Sequence, residues 1–547
     1  MTPLEREGRS PTGDGSAARV VVAEPFAELG LAVLRERGIE VVSLVGSSRE
    51  QLRAALADAD GLIVRSETRV DRELIAAGPR LAVVARAGVG VDAIDVSAAS
   101  EAGIVVLNTP GANTLAATEQ TFALLLSLCR HTPQAVAALR AGVWDRKPLV
   151  GTELAGKTLG IVGLGRIGSA VAVRAKAFGM RLVASDPFIS AARADAFDAP
   201  LLPLDELLMR SDIVTLHVPL TAQTRGMIGA AQLALLRPHA LLVNCARGGV
   251  IDEQALLDAL DGGALRGAAL DVVAEEPPPA GGTGARLHRH PRVVATPHIG
   301  GSTSEALERI AVELATDVAG VLLGAPPASA VNAPIADGAD ALTLRPYVDL
   351  AHRFGILYPQ LATTTASPRF TLALEGLIAQ ANAEPLTVAF LSGLLQTTTD
   401  RRVSIVNAAA IASELGLTVD VRRDEASGPF ASRLRVAGGI TSIAGTASAG
   451  GARLVEIDGY EVDAVPAGSL LLTQHRDVPG MVGRIGTVLG EAHVNISAMQ
   501  VSRNSIGGDA AMILSIDRPA DADTVARLRA IPGFTSVRTI ALPPNGA

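Results

Sequence analysis

The chain has 547 residues, 48% of them hydrophobic and 19% charged, a composition typical of a globular protein with about three or four domains. Its formal net charge of −8 at pH 7 argues against a general binder of nucleic acid or of membrane surfaces. The two cysteines, Cys129 and Cys245, cannot form a disulfide framework, so we expect a reducing, cytoplasmic environment.

The first 18 residues combine Pro, Gly, Ser and charges of both signs, without an apolar segment. This composition predicts a disordered tail over residues 1–18 and does not fit a signal peptide. No apolar run reaches the roughly 18 residues that a membrane helix requires, so we expect no membrane partner.

Short apolar segments alternate with helical patterns from Arg19 onward. Strands are predicted in "RVVVAEP" (19–25), "GLIVRS" (61–66), "LAVVARAG" (81–88) and "GIVVLNTP" (103–110). Residues 113–130 have the apolar period of a buried helix. Strands interleaved with helices predict βαβ units and a parallel sheet.

A second alternating block begins at Lys157, with predicted strands in "TLGIVGLG", "RLVASDP", "IVTLHVP", "ALLVNCARG" and "GAALDV". A helix capped by Ser302 or Thr303 then extends to about residue 324, and "GAPPASAVNAP" (324–334) is typical of a linker. Residues 335–467 indicate a mixed α/β region. Residues 468–543 have the ferredoxin-like order βαββαβ.

The stretch "GIVGLGRIGSAV" (160–171) has the spacing of a dinucleotide-binding turn. Gly163 allows a tight turn, Gly165 lets the backbone approach a pyrophosphate, and Gly168 permits close packing of the helix on the strand. Asp186 ends the next strand, where a carboxylate can bind the ribose hydroxyls and would repel a 2′-phosphate. This pattern favours NAD over NADP, although a glycine-rich turn of an unrelated α/β protein remains an alternative.

Three residues downstream suit the oxidation of a hydroxyl group: Arg247, Glu276 and His298. A histidine can take the hydroxyl proton near neutral pH, and a carboxylate on its other ring nitrogen can stabilise the imidazolium. An arginine can clamp a substrate carboxylate through two hydrogen bonds. Taken alone, each of these residues is more often structural than catalytic. The spacing of His, Cys, Asp and Glu does not predict a metal site.

Four motifs together, "GLGRIG", "NCARGGVID", "ALDVVAEEP" and "PHIGGST", resemble the D-isomer-specific 2-hydroxyacid dehydrogenase family in order and spacing. The segments "IVRSET" (63–68), "ARAGVGVDAID" (85–95) and "NTPGANT" (108–114) extend the resemblance. It implies two Rossmann-like doubly wound domains. One is a substrate-binding domain split between 19–110 and 294–330, and the other is an NAD-binding domain at 111–293.

The resemblance also implies roles for individual residues. The catalytic residues are Arg247, Glu276 and His298, and Glu275 is expected to be structural. The cofactor-binding residues are Gly163, Gly165, Arg166, Ile167, Gly168, Asp186, Cys245 and Asp271. The substrate-binding residues are Arg65, Ser66, Gly88 and Asn108. His217 is expected to pack at a strand end, and His288 and His290 are expected in an extended surface loop.

The C-terminal segment 468–543 resembles an ACT domain, through the D-x-P-G turn in "TQHRDVPGMVGRIGTVLGEAHVNIS" (473–497). The resemblance implies that His475, Asp477, Gly480 and Asn495 bind L-serine, although a module that only dimerises remains an alternative. Residues 335–467 resemble the intervening domain of the longer members of the family.

The implied activity is the NAD-dependent oxidation of 3-phospho-D-glycerate to 3-phosphohydroxypyruvate, the first step of L-serine biosynthesis, with inhibition by L-serine. A dehydrogenase for another D-2-hydroxy acid, such as 2-hydroxyglutarate, is the first alternative. A regulatory protein that senses NAD without turnover is the second. The resemblance further implies a homotetramer, and the negative net charge argues against a nucleic-acid partner. A basic cluster around Trp144, formed by Arg140, Arg146 and Lys147, could reach a neighbouring subunit or form a solvated patch.

Overall fold

The computed structural model describes residues 17–325, 327–334, 341–362, 368–399, 401–448 and 451–544. Residues 1–16, most of the predicted N-terminal tail, lie outside these ranges. Ala18 is buried against the first sheet. Four β-sheets follow one another along the described chain.

The first sheet is parallel and has five strands in the order β2-β1-β3-β4-β5. Its strands are β1 (Arg19–Val22), β2 (Glu40–Ser43), β3 (Gly61–Val64), β4 (Val83–Arg86) and β5 (Val105–Leu107). The helices between them are α1 (Glu28–Glu36), α2 (Arg49–Leu56), α3 (Arg72–Ala76) and α4 (Val96–Glu101). Strand β3 is buried along its whole length, as expected for a parallel strand covered on both faces.

The second sheet is also parallel, with six strands in the order β11-β10-β9-β8-β6-β7. Its strands are β6 (Thr158–Val162), β7 (Arg181–Ser185), β8 (Ile213–Leu216), β9 (Leu241–Asn244), β10 (Gly267–Leu270) and β11 (Val293–Ala295). Its helices are α5 (Thr114–Arg130), α6 (Thr132–Arg140), α7 (Arg166–Ala177), α8 (Ala191–Asp195), α9 (Leu204–Arg210), α10 (Ala230–Ala234), α11 (Glu253–Asp261) and α12 (Thr283–Arg289). The strand order reverses at β6, and ligands of such sheets bind at the carboxyl ends of the strands at this point.

After the second sheet the chain returns to the first. Helix α13 (Ser304–Leu322) begins at the N-cap Thr303, whose hydroxyl accepts a hydrogen bond from the N–H of Ala306 (3.2 Å). Its apolar face joins the core beneath β1 and β3. The linker then runs beside β5, where the N–H of Val331 donates to the carbonyl of Val106 (2.8 Å).

The third sheet is mixed, in the order β13-β12-β14-β15-β16-β17, with only β12 and β13 parallel. Its strands are β12 (Arg369–Gly376), β13 (Thr418–Asp424), β14 (Ser432–Gly438), β15 (Thr441–Ser448), β16 (Gly451–Ile457) and β17 (Tyr460–Ala464). Helices α14 (Ala341–Leu361), α15 (Glu384–Gln396) and α16 (Ala408–Glu414) accompany it. The backbones of helices α14 and α15 lie in close contact at Gly355, where a Cβ would lie only 2.1 Å from the carbonyl oxygen of Phe390.

The fourth sheet is antiparallel, in the order β19-β20-β18-β21. Its elements are β18 (Gly468–Arg476), α17 (Met481–Glu491), β19 (Ile496–Arg503), β20 (Asp509–Ile516), α18 (Ala522–Arg529) and β21 (Phe534–Leu542). One face packs on α17 and α18, and the other joins the core around α14. The predicted fold class, including the βαββαβ module, is confirmed. Within the described chain, no helix has the length and apolar character needed to cross a bilayer.

Candidate active site

A cleft of about 530 Å³ lies between the first and second sheets. The carboxyl edge of the first sheet contributes Arg65, Ser66, Arg86 and Gly88 to its wall. Loops of the second sheet contribute Asp271, Glu276 and His298. Residues distant in sequence meet here because the carboxyl ends of parallel strands lie at the same edge of a sheet.

His298 and Glu276 form a hydrogen-bonded pair in this cleft. Nδ1 of His298 lies 2.6 Å from Oε2 of Glu276, while Oε1 of Glu276 accepts the N–H of Val273 (3.1 Å). Burial raises the pKa of Glu276, but the hydrogen bond and the charge of His298 outweigh it, and the net pKa is below its usual value. The pair therefore presents an ionised carboxylate to one ring nitrogen and leaves Nε2 for a substrate hydroxyl.

Asp271 holds the loop that carries His298. Its buried carboxylate accepts hydrogen bonds from the hydroxyl of Thr296 (2.5 Å) and the N–H groups of Ile299 (2.9 Å) and Gly300 (2.7 Å). Its carbonyl accepts the N–H of His298 (2.8 Å), whose φ of 52° lies in the left-handed region. The predicted cofactor contact of Asp271 stays a prediction, whereas its bonds to the His298 loop are observed.

Arg247 reaches from the end of β9 toward the first sheet. Its Nη1 donates to the carbonyl of Ala246 (2.7 Å), and Nε lies 3.4 Å from Oδ2 of Asp92. The loop of the first sheet is close enough that a Cβ on Gly90 would lie 2.1 Å from Nη2 of Arg247. Arg247 therefore lies between the two sheets, where a substrate anion can replace Asp92 as its partner.

Two arginines, Arg65 and Arg86, give the cleft a cationic wall, and Arg247 lies near them without lining the cleft. Burial, together with the positive charges of Arg247 and Arg65, lowers the pKa of Arg86 to about 10. Gly88 makes room for this buried side chain, because a Cβ there would lie 1.7 Å from Nη1 of Arg86. Such a concentration of positive charge suits an anionic substrate.

Asn108 differs in position from the other predicted substrate-binding residues. Its side-chain amide donates to the carbonyl of Val89 (2.6 Å), and Asn108 does not line the cleft. The structure therefore gives Asn108 a role in shaping the loop after β4. The motif that contains Asn108 predicts that the residue is near the cleft, but it does not predict which group its side-chain amide bonds.

The glycine turn after β6 has the close packing that a dinucleotide site needs. Gly163 has a φ of 90°, and a Cβ there would lie 2.5 Å from the carbonyl oxygen of His217. A Cβ on Gly168 would lie 2.0 Å from the carbonyl oxygen of Gly163. Gly165, the N-cap of α7, has open space around its Cβ position. The turn thus combines tight packing below with room for a pyrophosphate at a helix N-terminus.

Asp186 lies beside this turn at the end of β7. Its Oδ2 accepts the N–H of Leu164 (2.8 Å), and its Oδ1 accepts the N–H of Phe188 (2.9 Å). Arg166 and Ile167 are the first two residues of α7, whose N–H groups have no partner within the helix. These positions fit NAD, while the predicted contacts of Asp186 with the ribose and of Arg166 and Ile167 with the phosphates stay predictions.

Two buried groups at the same sheet edge stay uncharged. Burial raises the pKa of Cys245 to about 12, so its thiol remains protonated. Burial lowers the pKa of His217 to about 4, and Nε2 of this histidine lies 2.9 Å from the hydroxyl of Thr215. The side chain of His217 is accordingly packed at the end of β8.

Sequence reasoning missed two polar residues near the cleft. Gln120 donates to the hydroxyl of Thr296 (3.0 Å), so a helix of the second sheet also holds the His298 loop. Asn113 lines the cleft, and its Oδ1 is buried without a hydrogen-bond partner in the described structure. The expected extended loop around His288 is wrong, because helix α12 forms there with Leu287 buried, and His288 lines the cleft.

Three family models match successive parts of the chain. The NAD-binding domain of D-isomer specific 2-hydroxyacid dehydrogenases matches residues 122–300, the D-3-phosphoglycerate dehydrogenase intervening domain matches 343–458, and the ACT domain matches 469–533. D-3-phosphoglycerate dehydrogenase of Synechocystis sp. is 40% identical over 533 residues, covering 96% of this chain and 95% of the relative. The Bacillus subtilis enzyme of that name is 39% identical over 530 residues, covering 96% and 100%.

The chain belongs to the D-3-phosphoglycerate dehydrogenase family. The predicted resemblance is therefore confirmed, as are the NAD-dependent dehydrogenase class and NAD as the cofactor. Among solved structures, a D-lactate dehydrogenase from Aquifex aeolicus in complex with NAD and lactic acid is 28% identical, with a TM-score of 0.51, and covers 56% of this chain and 96% of that one. A glyoxylate reductase from Paecilomyes thermophila is 30% identical, with a TM-score of 0.52, and covers 58% and 98%.

The ACT domain of this family member has its own cavity, of about 430 Å³. Three of the four predicted effector residues line it: His475, Asp477 and Gly480. Asn495 does not line the cavity of this single chain, and its N–H donates to Oδ1 of Asp517 (3.0 Å). Arg503, which sequence reasoning missed, lines the cavity and pairs with Asp477 at 3.1 Å.

The charges of this second cavity are set by that ion pair. The hydrogen bond from Arg503, followed by one from the N–H of Gly507, holds the pKa of Asp477 below its usual value. His475 is only 2% exposed and stacks on Phe534, with ring centroids 5.3 Å apart. Burial lowers the pKa of His475, so this ring is uncharged at neutral pH.

The predicted basic cluster lies at the end of α6 and in the segment that follows it. Trp144 is 81% exposed, and it lines a shallow hollow together with Arg146 and the apolar residues Leu139 and Val143. The hollow is separate from the cleft within one chain.

Proposed function

We propose that this chain oxidises 3-phospho-D-glycerate to 3-phosphohydroxypyruvate with NAD. The observation that carries the proposal is the 2.6 Å contact between Nδ1 of His298 and Glu276, in a cleft that Arg65 and Arg86 also line. Arg247 lies near this cleft, between the two sheets. A proton acceptor beside a cationic wall suits a hydroxy acid with two anionic groups.

The arginines divide the binding of the substrate. Arg247 clamps the carboxylate beside the reacting carbon, because its planar guanidinium can donate two parallel hydrogen bonds. Arg65 and Arg86 take the phosphate, with Ser66 as an additional donor. This assignment is supported by the position of Arg65, Ser66 and Arg86 on one wall of the cleft.

The reaction removes a hydride and a proton from the substrate. Bound NAD supplies the hydride acceptor, held by the turn at Gly163, Gly165 and Gly168. As the C–H bond at the hydroxyl-bearing carbon breaks with its electron pair, Nε2 of His298 takes the hydroxyl proton and a C=O bond forms. Glu276 stabilises the resulting imidazolium, and Asp271 keeps the His298 loop in place.

Regulation by L-serine is the second part of the proposal. The amino acid would bind in the ACT cavity, with its ammonium group at Asp477 and its carboxylate near the backbone at Gly480. Support comes from the lining of that cavity and from the left-handed Gly480 (φ 91°), which lets the backbone approach a ligand. Asn495 would join the site from a second subunit. A homotetramer is supported by the exposed apolar patch around Trp144 and is tested by light scattering.

NADH formation from NAD, with each candidate substrate and with or without L-serine, tests the proposal. Turnover of 3-phosphoglycerate that L-serine suppresses and D-serine leaves unchanged would support both parts. Turnover indifferent to L-serine would remove the regulatory part. Oxidation of 2-hydroxyglutarate in place of 3-phosphoglycerate would refute the substrate assignment. Binding of NAD without any turnover, together with unchanged physiological function in His298→Ala, would favour a sensor.

A further inference from the structure

Glu24 is a buried carboxylate behind the loop that carries Arg65 and Ser66. It lies two residues beyond the end of β1, and only 6% of the residue is exposed. Residues 65–68 directly follow β3, the strand that pairs with β1 in parallel. Glu24 and this loop therefore meet at the same edge of the sheet, beneath one wall of the cleft.

Four consecutive backbone N–H groups donate to this single carboxylate. Oε1 accepts from Arg65 (2.9 Å) and Thr68 (2.9 Å), and Oε2 accepts from Ser66 (2.9 Å) and Glu67 (3.0 Å). Converging amides of this kind form an anion-binding concavity. Here the chain fills the concavity with its own side chain.

The four bonds keep Glu24 in its charged form. Burial raises the pKa of Glu24, but the hydrogen bonds from the loop outweigh this effect, and the net pKa lies below its usual value. An ionised carboxylate can accept all four hydrogen bonds, whereas an amide brings two N–H donors of its own. The shape of the loop thus depends on a carboxylate at this position.

Glu24 also acts on the cationic wall of the cleft. Nε of Arg86 donates to the carbonyl of Arg65 (2.9 Å), so the same loop is bonded from both sides. The negative charge of Glu24 raises the pKa of Arg86, against the larger lowering effects of burial and of its cationic neighbours. Glu24 therefore supports both the geometry and the charge of the wall.

We propose that Glu24 is a positioning residue for substrate binding, which fixes residues 65–68 so that Arg65 and Ser66 face the substrate anion. Glu24 does not line the cleft and acts only through the loop. The proposal rests on the function proposed above for the cleft. It adds a residue that neither the glycine turn nor the Arg247, Glu276 and His298 set indicates.

Asp60 provides a matched control in the same sheet. It is also a buried carboxylate, accepting the N–H of Arg19 (2.8 Å) and pairing with Arg80 (3.1 Å). It directly precedes β3, at the end of the sheet opposite the cleft. Asp60→Asn therefore disturbs a buried carboxylate of the same sheet without removing a partner of the 65–68 loop.

The test compares Glu24→Gln, Glu24→Asp and Asp60→Asn in the full chain. We expect Glu24→Gln to raise KM for 3-phosphoglycerate about tenfold or more, with kcat within about threefold and Kd for NAD unchanged. Glu24→Asp keeps the carboxylate and should recover part of this loss. Asp60→Asn should lower Tm and leave KM unchanged. Hydrogen exchange of the amides of residues 65–68 should accelerate most in Glu24→Gln, less in Glu24→Asp, and not in Asp60→Asn.

Two results would overturn the proposal: an unchanged KM in Glu24→Gln, or an equal rise of KM in Asp60→Asn. If Glu24→Gln does not fold, the comparison of Glu24→Asp with Asp60→Asn decides by the same readouts. If the wild type does not oxidise 3-phosphoglycerate, the proposed function fails. The role of Glu24 is then tested separately, by hydrogen exchange of the amides of residues 65–68. Loop protection lost in the Glu24 variants alone would support its positioning role, and protection equal in all variants would refute it.

Discussion

Replacing Glu276 by Gln removes the charge beside His298 while keeping the shape of the side chain. In the wild type, the two side chains are 2.6 Å apart and partly exposed, 43% for His298 and 35% for Glu276. A hydrogen bond to a charged group contributes about 1.5–3 kcal/mol, and this exposure places the contact in the lower half of that range. The imidazolium that forms during the reaction should therefore lose about 2 kcal/mol of stabilisation.

That loss corresponds to a decrease of about 30-fold in kcat/KM, since each 1.36 kcal/mol is a factor of ten in rate. The assay is NADH formation under steady-state conditions, with NAD affinity measured separately by fluorescence titration. We expect Kd for NAD to stay within about twofold, because Glu276 follows β10 and does not belong to the glycine turn after β6. Glu275→Gln, one residue earlier, is the matched control and should keep full activity.

A Glu276→Gln enzyme with kcat/KM within about twofold of the wild type would refute this reasoning. It would mean that the observed pair does not operate during turnover. Equal losses in Glu275→Gln and Glu276→Gln would also refute it, because the effect would then belong to the loop as a whole. A loss confined to NAD binding would point to a cofactor role for Glu276.

Gly168→Ala should weaken NAD binding at least about tenfold and lower stability by about 1–3 kcal/mol, because its Cβ would lie 2.0 Å from a carbonyl oxygen. A Cβ at Gly165 would meet no protein atom, so Gly165→Ala should leave the Tm of the NAD-free protein unchanged. The added methyl should weaken NAD binding, because this is where the backbone approaches the pyrophosphate, and thermal melts with and without NAD would show both effects. Asp477→Asn should raise the L-serine concentration for half-inhibition at least about tenfold at unchanged kcat, with the exposed Asp523→Asn as its control in an inhibition titration. Burial raises the pKa of Asp212, but its hydrogen bonds and neighbouring charges lower it overall, so its carboxylate stabilises the fold above about pH 4. Asp212→Asn should therefore cost about 1–2 kcal/mol at pH 7, and its Tm should converge with that of the wild type as pH falls below 4.

Local patterns in the sequence were sufficient for the strands, the glycine turn and the order of the domains. Parallel strands buried on both faces are continuous apolar runs, such as residues 61–64. Glycine is needed at positions 163 and 168, because neighbouring backbone atoms leave no space there for a Cβ. The motifs around Arg247, Glu276 and His298 indicated the family, since each is a short continuous segment at the end of a strand. The helix α12 was missed, because its glycine-rich start is typical of a loop and its stability comes from Leu287 packing in the core.

What only the tertiary structure decided is which groups hold the site together. Glu24 lies 41 positions before Arg65, and its carboxylate finds the loop only because β1 and β3 are neighbours in the sheet. Asp271 bonds the His298 loop for the same reason, through adjacent strand ends. A local pattern determines which backbone conformations the chain favours, but a hydrogen bond between distant residues depends on the packing of sheets. The residues proposed for the chemistry are therefore visible in the sequence, whereas the hydrogen bonds that hold their loops are visible only in the fold.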